Sequence, residues 1–329
     1  MNPQQKKNKK NKQVKSNNFK DKIENPVENQ VDIKTNPSTQ NPTKEAKLNG
    51  AVVNNKTAGN LKKWNISMGT LHLIQGVIML VLSKDITKII TTSLPSISFN
   101  IETRVRTVTN ITEKWYDINL GRTIAAFLFL SAFAHFFTIL PKIYPWYLKN
   151  LANKINLIRW YEYALSSSIM IYVVCVLNGI TDGFLLFAIV GLNACMNLFG
   201  ASMEYHNSDK RKLAILEKKE FKPNWWHFVY GCFAGILPWI ISGVYFYVSI
   251  NRLSDLASTS DQIKNALNTV KFIFPALFVF FNCFAINMVL QYKGVGKWKD
   301  YLFGEKVYLI LSLVAKSFLA WFIWGGTLR

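Results

Sequence analysis

The sequence predicts an all-α membrane protein: a bundle of seven transmembrane helices with a short β-hairpin-like extracellular loop between helices one and two. Three observations carry this. The chain of 329 residues is 50% apolar and 14% aromatic, yet its net charge is +20, so apolar and basic residues must be segregated along it. From residue 64 onward, seven apolar stretches alternate with polar loops, each near the ~20 residues that a helix needs to cross the hydrocarbon. The loops between them alternate in charge. Charged residues make up only 18%, against about 25% in an ordinary soluble chain, which excludes a uniform soluble globule. Cys175, Cys195, Cys232 and Cys283 all lie in apolar runs, where they read as small packing residues rather than a disulfide framework.

Residues 1–63 form a region of their own, read as a disordered basic cytoplasmic tail. It holds fourteen lysines against five acidic residues, a net +9, and has no apolar periodicity with which to offset chain entropy. It also lacks the apolar core of a signal peptide. The basic run over 6–15 reads as a solvated tail. A surface for anionic lipid or nucleic acid is the alternative, and nucleic acid is not expected as a partner.

Residues 64–329 form the membrane domain, an integral multi-pass unit with the lipid bilayer as its solvent. The spans fall at 64–82, 119–140, 157–177, 183–203, 225–250, 270–290 and 307–325. Without water at depth each must satisfy its own backbone, so each is a helix. The fourth is diluted by Gly191, Asn193, Asn197 and Gly200. Loops after spans two, four and six carry +3, +3 and +2; loops after one, three and five carry +1, −1 and 0. Basic loops stay in the cytoplasm, so the N-terminus is expected there and the C-terminus outside. In the first outer loop, Ile97, Phe99, Ile101, Thr103 and Val105 alternate with polar residues. That period predicts a strand with one face covered by a partner strand or another subunit. Asn110-Ile111-Thr112 in the same loop is a glycosylation acceptor pattern.

The residues that carry chemistry are the charges left inside the membrane, where each costs roughly 2.5–3.5 kcal/mol and is a functional candidate by default. Lys316 stands near the middle of the seventh span with no charge in its apolar flanks. Two readings stand side by side: a structural ion pair with Glu162 of the third span, or a desolvated amine for Schiff-base chemistry. Ser312 lies one turn from Lys316 on the same face, either as a hydrogen-bond partner of that nitrogen or bonded back to its own helix. Glu162 opens a polar stripe with Ser166. His72, His135 and Glu204 lie at similar depth or towards the cytoplasmic end. With Glu162 they are the proton-transfer candidates, lining a polar pocket on the cytoplasmic side of Lys316. No His-x-x-x-His spacing occurs, so no metal is expected, and no catalytic residues are assigned, since the chain is not read as an enzyme.

Two strings make the pattern specific. Arg159-Trp160-Tyr161-Glu162-Tyr163-Ala164-Leu165-Ser166-Ser167-Ser168 on the third span and Ser312-Leu313-Val314-Ala315-Lys316-Ser317 on the seventh resemble the heliorhodopsins, microbial rhodopsins with inverted topology. The resemblance covers residue 61 to the C-terminus. It implies all-trans retinal bound to Lys316 as a protonated Schiff base, Glu162 as its counterion, Ser312 beside it, and His72 and His135 lining the cytoplasmic cavity. Glu204 matches a buried carboxylate of the fourth helix. The outer loop matches the family's β-structure, which contributes to a homodimer. Tyr163, Asn193, Met196, Pro238, Trp239 and Phe281 are the implied retinal contacts.

The function implied is a light-sensing photoreceptor with a slow photocycle, internal proton transfer and an output to an unknown signalling or regulatory partner. The first alternative is light-driven or light-gated proton transport, for which viral members of the family are the precedent. A retinal-free transporter using the Lys316–Glu162 pair, or a receptor-like interaction protein acting through its basic tail, are the rivals from other classes. The outer half shows no acidic residue at depth, which favours sensing over transport.

Overall fold

The structure, a computed structural model, describes residues 46–48, 51–257 and 261–328. Most of the expected disordered tail lies outside the described residues. Within the remainder, a small hairpin of β1 (Ala46–Leu48) and β2 (Ala51–Val53) precedes α1 (Asn55–Leu82). This helix starts ahead of the apolar run at residue 64. Its polar first turns are held by Asn54, whose Oδ1 accepts a hydrogen bond from Thr57 N at 2.8 Å.

The chain continues through β3 (Thr87–Asn100), β4 (Val105–Asn119), α2 (Leu120–Thr138), α3 (Ile143–Ala152), α4 (Leu157–Leu177), α5 (Gly183–Leu216), α6 (Trp226–Ala257), α7 (Asp261–Lys293) and α8 (Tyr301–Ile323). Among the described residues, seven helices are long and apolar enough to cross a membrane; α3 is not one of them. Successive spans pack side by side, and α8 closes the ring against α1 and α2. One end of the bundle carries β3 and β4 and is called the hairpin end below. The other carries α3 and the basic loops and is called the tail end.

Several helices run beyond the expected bounds, α5 to Leu216 among them, and two departures have reasons visible in the sequence. The segment 141–156, read as a loop, contains α3, because Tyr147, Leu151 and Ala152 recur at helical spacing and are buried. The last helix begins at Tyr301 rather than 307. Asp300 caps it, its Oδ1 accepting from Leu302 N at 3.0 Å, and this early start carries Glu305 into the bundle.

The hairpin is longer than the alternation alone indicated. Strands β3 and β4 pair antiparallel from Thr87↔Asn119 to Asn100↔Val105. The expected strand through Val105 is interrupted, because residues 101–104 form the turn. Asn100 Oδ1 accepts from Glu102 N at 2.9 Å and Thr103 N at 3.1 Å, and Arg104 takes a positive φ of 55°. Both behaviours are those of turn residues. Ile90 and Ile118 at the base are buried, whereas Ile97, Phe99, Ile101 and Val108 are exposed in the single chain. The base docks on the loop before α5 through Thr91 N, which donates to Thr181 O at 2.8 Å. Gly183 makes this close approach possible, since a Cβ there would overlap the Trp115 ring.

Among the described residues, three apolar clusters fill the bundle. The largest occupies the hairpin half and joins α1, α2, α4, α5 and α8 through residues such as Met79, Phe127, Ile171, Ile189 and Leu319. A second gathers Trp160, Tyr163, Met203, Met288 and Tyr308. A third fixes α3 to the starts of α1 and α8 through Leu61, Tyr147, Leu151 and Tyr301. Buried polar side chains lie between the first cluster and the other two.

Candidate functional site

Lys316 of α8 and Glu162 of α4 face one another across the bundle. Lys316 Nζ lies 2.6 Å from Glu162 Oε1, with Lys316 buried and the Glu162 side chain 9% exposed. The amine also donates to Ser312 Oγ at 2.9 Å, using the i, i+4 spacing on α8. The same Glu162 oxygen accepts from Ser131 Oγ of α2 at 2.7 Å. Ser131 did not stand out in the sequence, although it sits one turn before His135 and so continues a polar stripe along α2. Lys316 Nζ also stands 5.3 Å from the centre of the Tyr163 ring, within range for a cation–π contact. Ser166, one turn beyond Glu162, is fully buried beside the pair.

On one side of the pair opens a cavity of about 480 Å³. Lys316, Ser312 and Ser166 form its polar end, and Tyr163, Met170, Met196, Trp239 and Phe281 are in its walls. Trp239 is braced by Phe274, Phe278 and Phe281, with ring centres 5.1–5.5 Å away. Gly200 lets Trp160 lie flat against α5, because a Cβ there would enter the indole ring. Two expected contact residues lie outside this wall. Asn193 donates to Ser167 Oγ at 2.8 Å and Ser168 Oγ at 3.0 Å, so its amide ties α5 to α4. Pro238 is buried within α6 beside Trp239. The volume is in the range of small-molecule sites, about 300–1,000 Å³. A long apolar polyene with a single carbonyl end fits this chemistry, since the one primary amine in the wall stands at the polar end.

On the tail side of the pair the lining becomes polar. His135 Nδ1 lies 2.9 Å from Asn65 Oδ1. Asn65 Nδ2 donates to Leu61 O at 2.9 Å, which assigns the amide orientation. An amide oxygen only accepts, so His135 Nδ1 carries the hydrogen and Nε2 is left as an acceptor. His72 stacks on His135, ring centres 5.7 Å apart and planes 8° from parallel, and among the described residues neither of its ring nitrogens has a hydrogen-bond partner. A cavity of about 40 Å³ touches Glu162, Ser312, His135 and Asn65, and reaches Arg159 and Glu305. That is room for about two or three waters.

Beyond this cavity lies a second charged cluster. Arg159 of α4 makes ion pairs with Glu204 of α5 and Glu305 of α8, one through each terminal nitrogen. Asn156 completes it, its backbone N donating to Glu204 at 2.8 Å and its side chain to Glu305 at 2.7 Å. The guanidinium lies 3.9 Å from the centre of the Tyr308 ring. Glu305 was missed because it falls at the boundary of the basic loop, where an acidic residue reads as solvated. Removing one partner from a buried ion pair typically costs about 3–5 kcal/mol. Arg159→Leu should therefore lower the thermal unfolding temperature sharply in detergent. Adding Glu204→Gln and Glu305→Gln should restore most of the loss, and failure of that rescue would show that the cluster is not held by charge.

Comparison with known proteins adds one positive result. No curated protein sequence matches the chain. A family model for heliorhodopsins matches residues 61–328, which spans the seven membrane helices, the hairpin, the Lys316–Glu162 pair and the Arg159 cluster. With seven apolar helices, a buried lysine–carboxylate pair and a cavity suited to a polyene, the chain belongs to the heliorhodopsin family of retinal-binding, light-sensing membrane proteins.

Proposed function

We propose that the chain is a photosensor that carries all-trans retinal on Lys316 Nζ as a protonated Schiff base, with Glu162 as counterion. Its slow photocycle transfers a proton internally, and its output is read by a signalling or regulatory partner. The observation that supports this best is the position of Lys316: a buried amine, paired at 2.6 Å with Glu162, at the polar end of a largely apolar cavity.

When bound, retinal supplies light absorption and a photoisomerisation. The protein's own groups do the rest. Met170, Trp239 and Phe281 exclude water and restrict what the cavity admits. Glu162 Oε1 compensates the positive nitrogen and is the nearest atom to which its proton can pass. Ser131 and Ser312 hold the carboxylate and the nitrogen in place, so a returning proton meets the same geometry. His135 Nε2 and the His72 ring are the next acceptors towards the tail end. Glu204 is engaged by Arg159 and Asn156, and we assign it to a seal rather than to the transfer path.

The buried carboxylates Glu162, Glu204 and Glu305 all lie towards the tail end, by the alternation of helix direction. Residues 226–250 of α6 and 271–293 of α7 contain no Asp or Glu. A proton that leaves Lys316 thus has acceptors on one side only and returns from that side, which favours sensing over transport. The orientation that fits the loop charges puts the N-terminus in the cytoplasm and the C-terminus outside. The exposed face shared by Ile97, Phe99 and Val108 is the surface through which a homodimer forms.

Adding all-trans retinal to the expressed protein should produce a visible absorption band, and Lys316→Ala should abolish it while the protein still inserts. Glu162→Gln should move the band to the red, because excitation shifts positive charge away from a nitrogen that is no longer compensated. A normal pigment in Lys316→Ala would contradict the proposal. In intact cells, a tag fused after Arg329 should be labelled from outside; labelling only after permeabilisation would reverse the orientation. Ile97→Arg with Val108→Arg should convert a dimeric mass in light scattering to a monomeric one, and an unchanged mass would remove the hairpin from the interface. Voltage-clamp recording under light should give no sustained photocurrent. A current that scales with the proton gradient would favour proton transport.

A further inference from the structure

Where the C-terminus of α3 meets the last turns of α5, an arginine and a lysine stand without a carboxylate partner among the described residues. Arg211 of α5 is buried, 9% exposed. Its guanidinium lies over the Phe221 ring, 4.6 Å from the centre, and Nη1 donates only a long hydrogen bond of 3.4 Å to Asn153 O. The fork of a buried arginine is built to hold a carboxylate or a phosphate, as that of Arg159 holds Glu204 and Glu305. We infer that Arg211 and Lys154, with Ser208, form a binding site for a phosphate group, carried by a free anion or by a lipid headgroup.

An uncommon backbone places Lys154 there. Ile155 N donates to Asn150 O at 3.0 Å and Lys154 N to Leu151 O at 2.9 Å, the pattern that closes a helix through a left-handed residue. Glycine is the usual occupant of that position, yet here Lys154 takes a φ of 58°, which costs a side chain energy that glycine avoids. The residue kept there is a half-buried cation. Burial and the neighbouring Arg211 push its ammonium below the usual lysine range, with Asp300 opposing them. The C-terminus of α3 offers about half a negative charge, and Asp300 is engaged in the cap of α8. The two cations therefore keep a positive surplus that an anion relieves.

Ser208 lies between the two points at which α5 meets this turn. Glu204 accepts from Asn156 N at 2.8 Å, Arg211 reaches Asn153, and Ser208 is one turn from each on the same helix face. It is fully buried, and its Oγ has no partner among the described residues, so a hydroxyl is left as a third donor. Arg211 is eight residues, about 12 Å, past the apolar span that ends at residue 203, so an anion reaches it without crossing hydrocarbon. The loops after the second and fourth spans, each +3, draw it in.

The test is calorimetric titration of the full-length protein, purified in detergent and phosphate-free chloride buffer. One arm uses sodium phosphate; the other uses dihexanoyl phosphatidic acid, with dihexanoyl phosphatidylcholine as its control. The wild-type chain should bind one phosphate group, and the tighter of the two ligands names the source. Lys154→Gly and Arg211→Gln should each weaken binding at least about tenfold, and Ser208→Ala about fivefold. Lys154→Gly suits the left-handed helix end, so its result stands even where Arg211→Gln disturbs packing. Lys218→Gly is the matched control: Lys218 also takes a positive φ, 54°, at the end of α5, but it is exposed, and its loss should leave binding unchanged. No binding of either ligand by the wild type would overturn the inference. So would equal losses in Lys218→Gly and Lys154→Gly, which would reduce the effect to net charge.

Discussion

Two opposite charges held 2.6 Å apart at bilayer depth set the terms for everything around them. Either charge alone would cost roughly 2.5–3.5 kcal/mol on the lenient insertion scale, and more on others. Together they form a neutral pair, provided that the helices bearing them stay in contact. Lys316 and Glu162 lie on α8 and α4, which are not neighbours in sequence, so the pair constrains the closure of the whole ring. Ser131 from α2 and Ser312 from α8 supply the extra hydrogen bonds that such a pair needs in a low-dielectric interior.

The rest of the bundle is divided by this pair. Towards the hairpin end the filling is apolar and aromatic, with Trp239 braced among phenylalanines. Towards the tail end buried polar groups share the interior with the two smaller apolar clusters: first the His72–His135 stack, then a small cavity, then Arg159 between two carboxylates. In the proposed photosensor this asymmetry has a mechanical meaning. A proton set loose at Lys316 finds acceptors only in the compartment between the pair and the Arg159 cluster. Arg159, stacked on Tyr308 and bonded to Glu204 and Glu305, stands between that compartment and the basic loops. The cluster joins α4, α5 and α8, and so links the helices that carry Lys316 and Glu162 at the tail end.

Much of this was legible in the sequence for one reason: charge inside an apolar span is rare and costly. Lys316 and Glu162 stood out on that ground, and the structure brings them together. The seven spans followed from length and hydropathy, and the hairpin from the alternation about Ile97. What was not legible depends on neighbours distant in sequence. Asn65 and Ser131 are ordinary polar residues until His135 and Glu162 face them. Glu305 looked like a loop residue because only the Asp300 cap, which starts α8 early, carries it into the bundle. Asn193 was expected at the cavity, yet Ser167 and Ser168 claim its amide. The α3 segment was short enough to pass for a loop, although Tyr147 and Leu151 share one face of it.

The most direct measurement concerns the covalent bond itself. The illuminated or dark pigment, formed with all-trans retinal, can be treated with borohydride, which reduces a carbon–nitrogen double bond to a stable amine, and then digested for mass spectrometry. The expected result is a retinyl mass on the peptide that contains Lys316 and on no other lysine. A retinyl group on a different lysine, or none on a protein that has a visible band, would contradict the assignment of Lys316 as the attachment site.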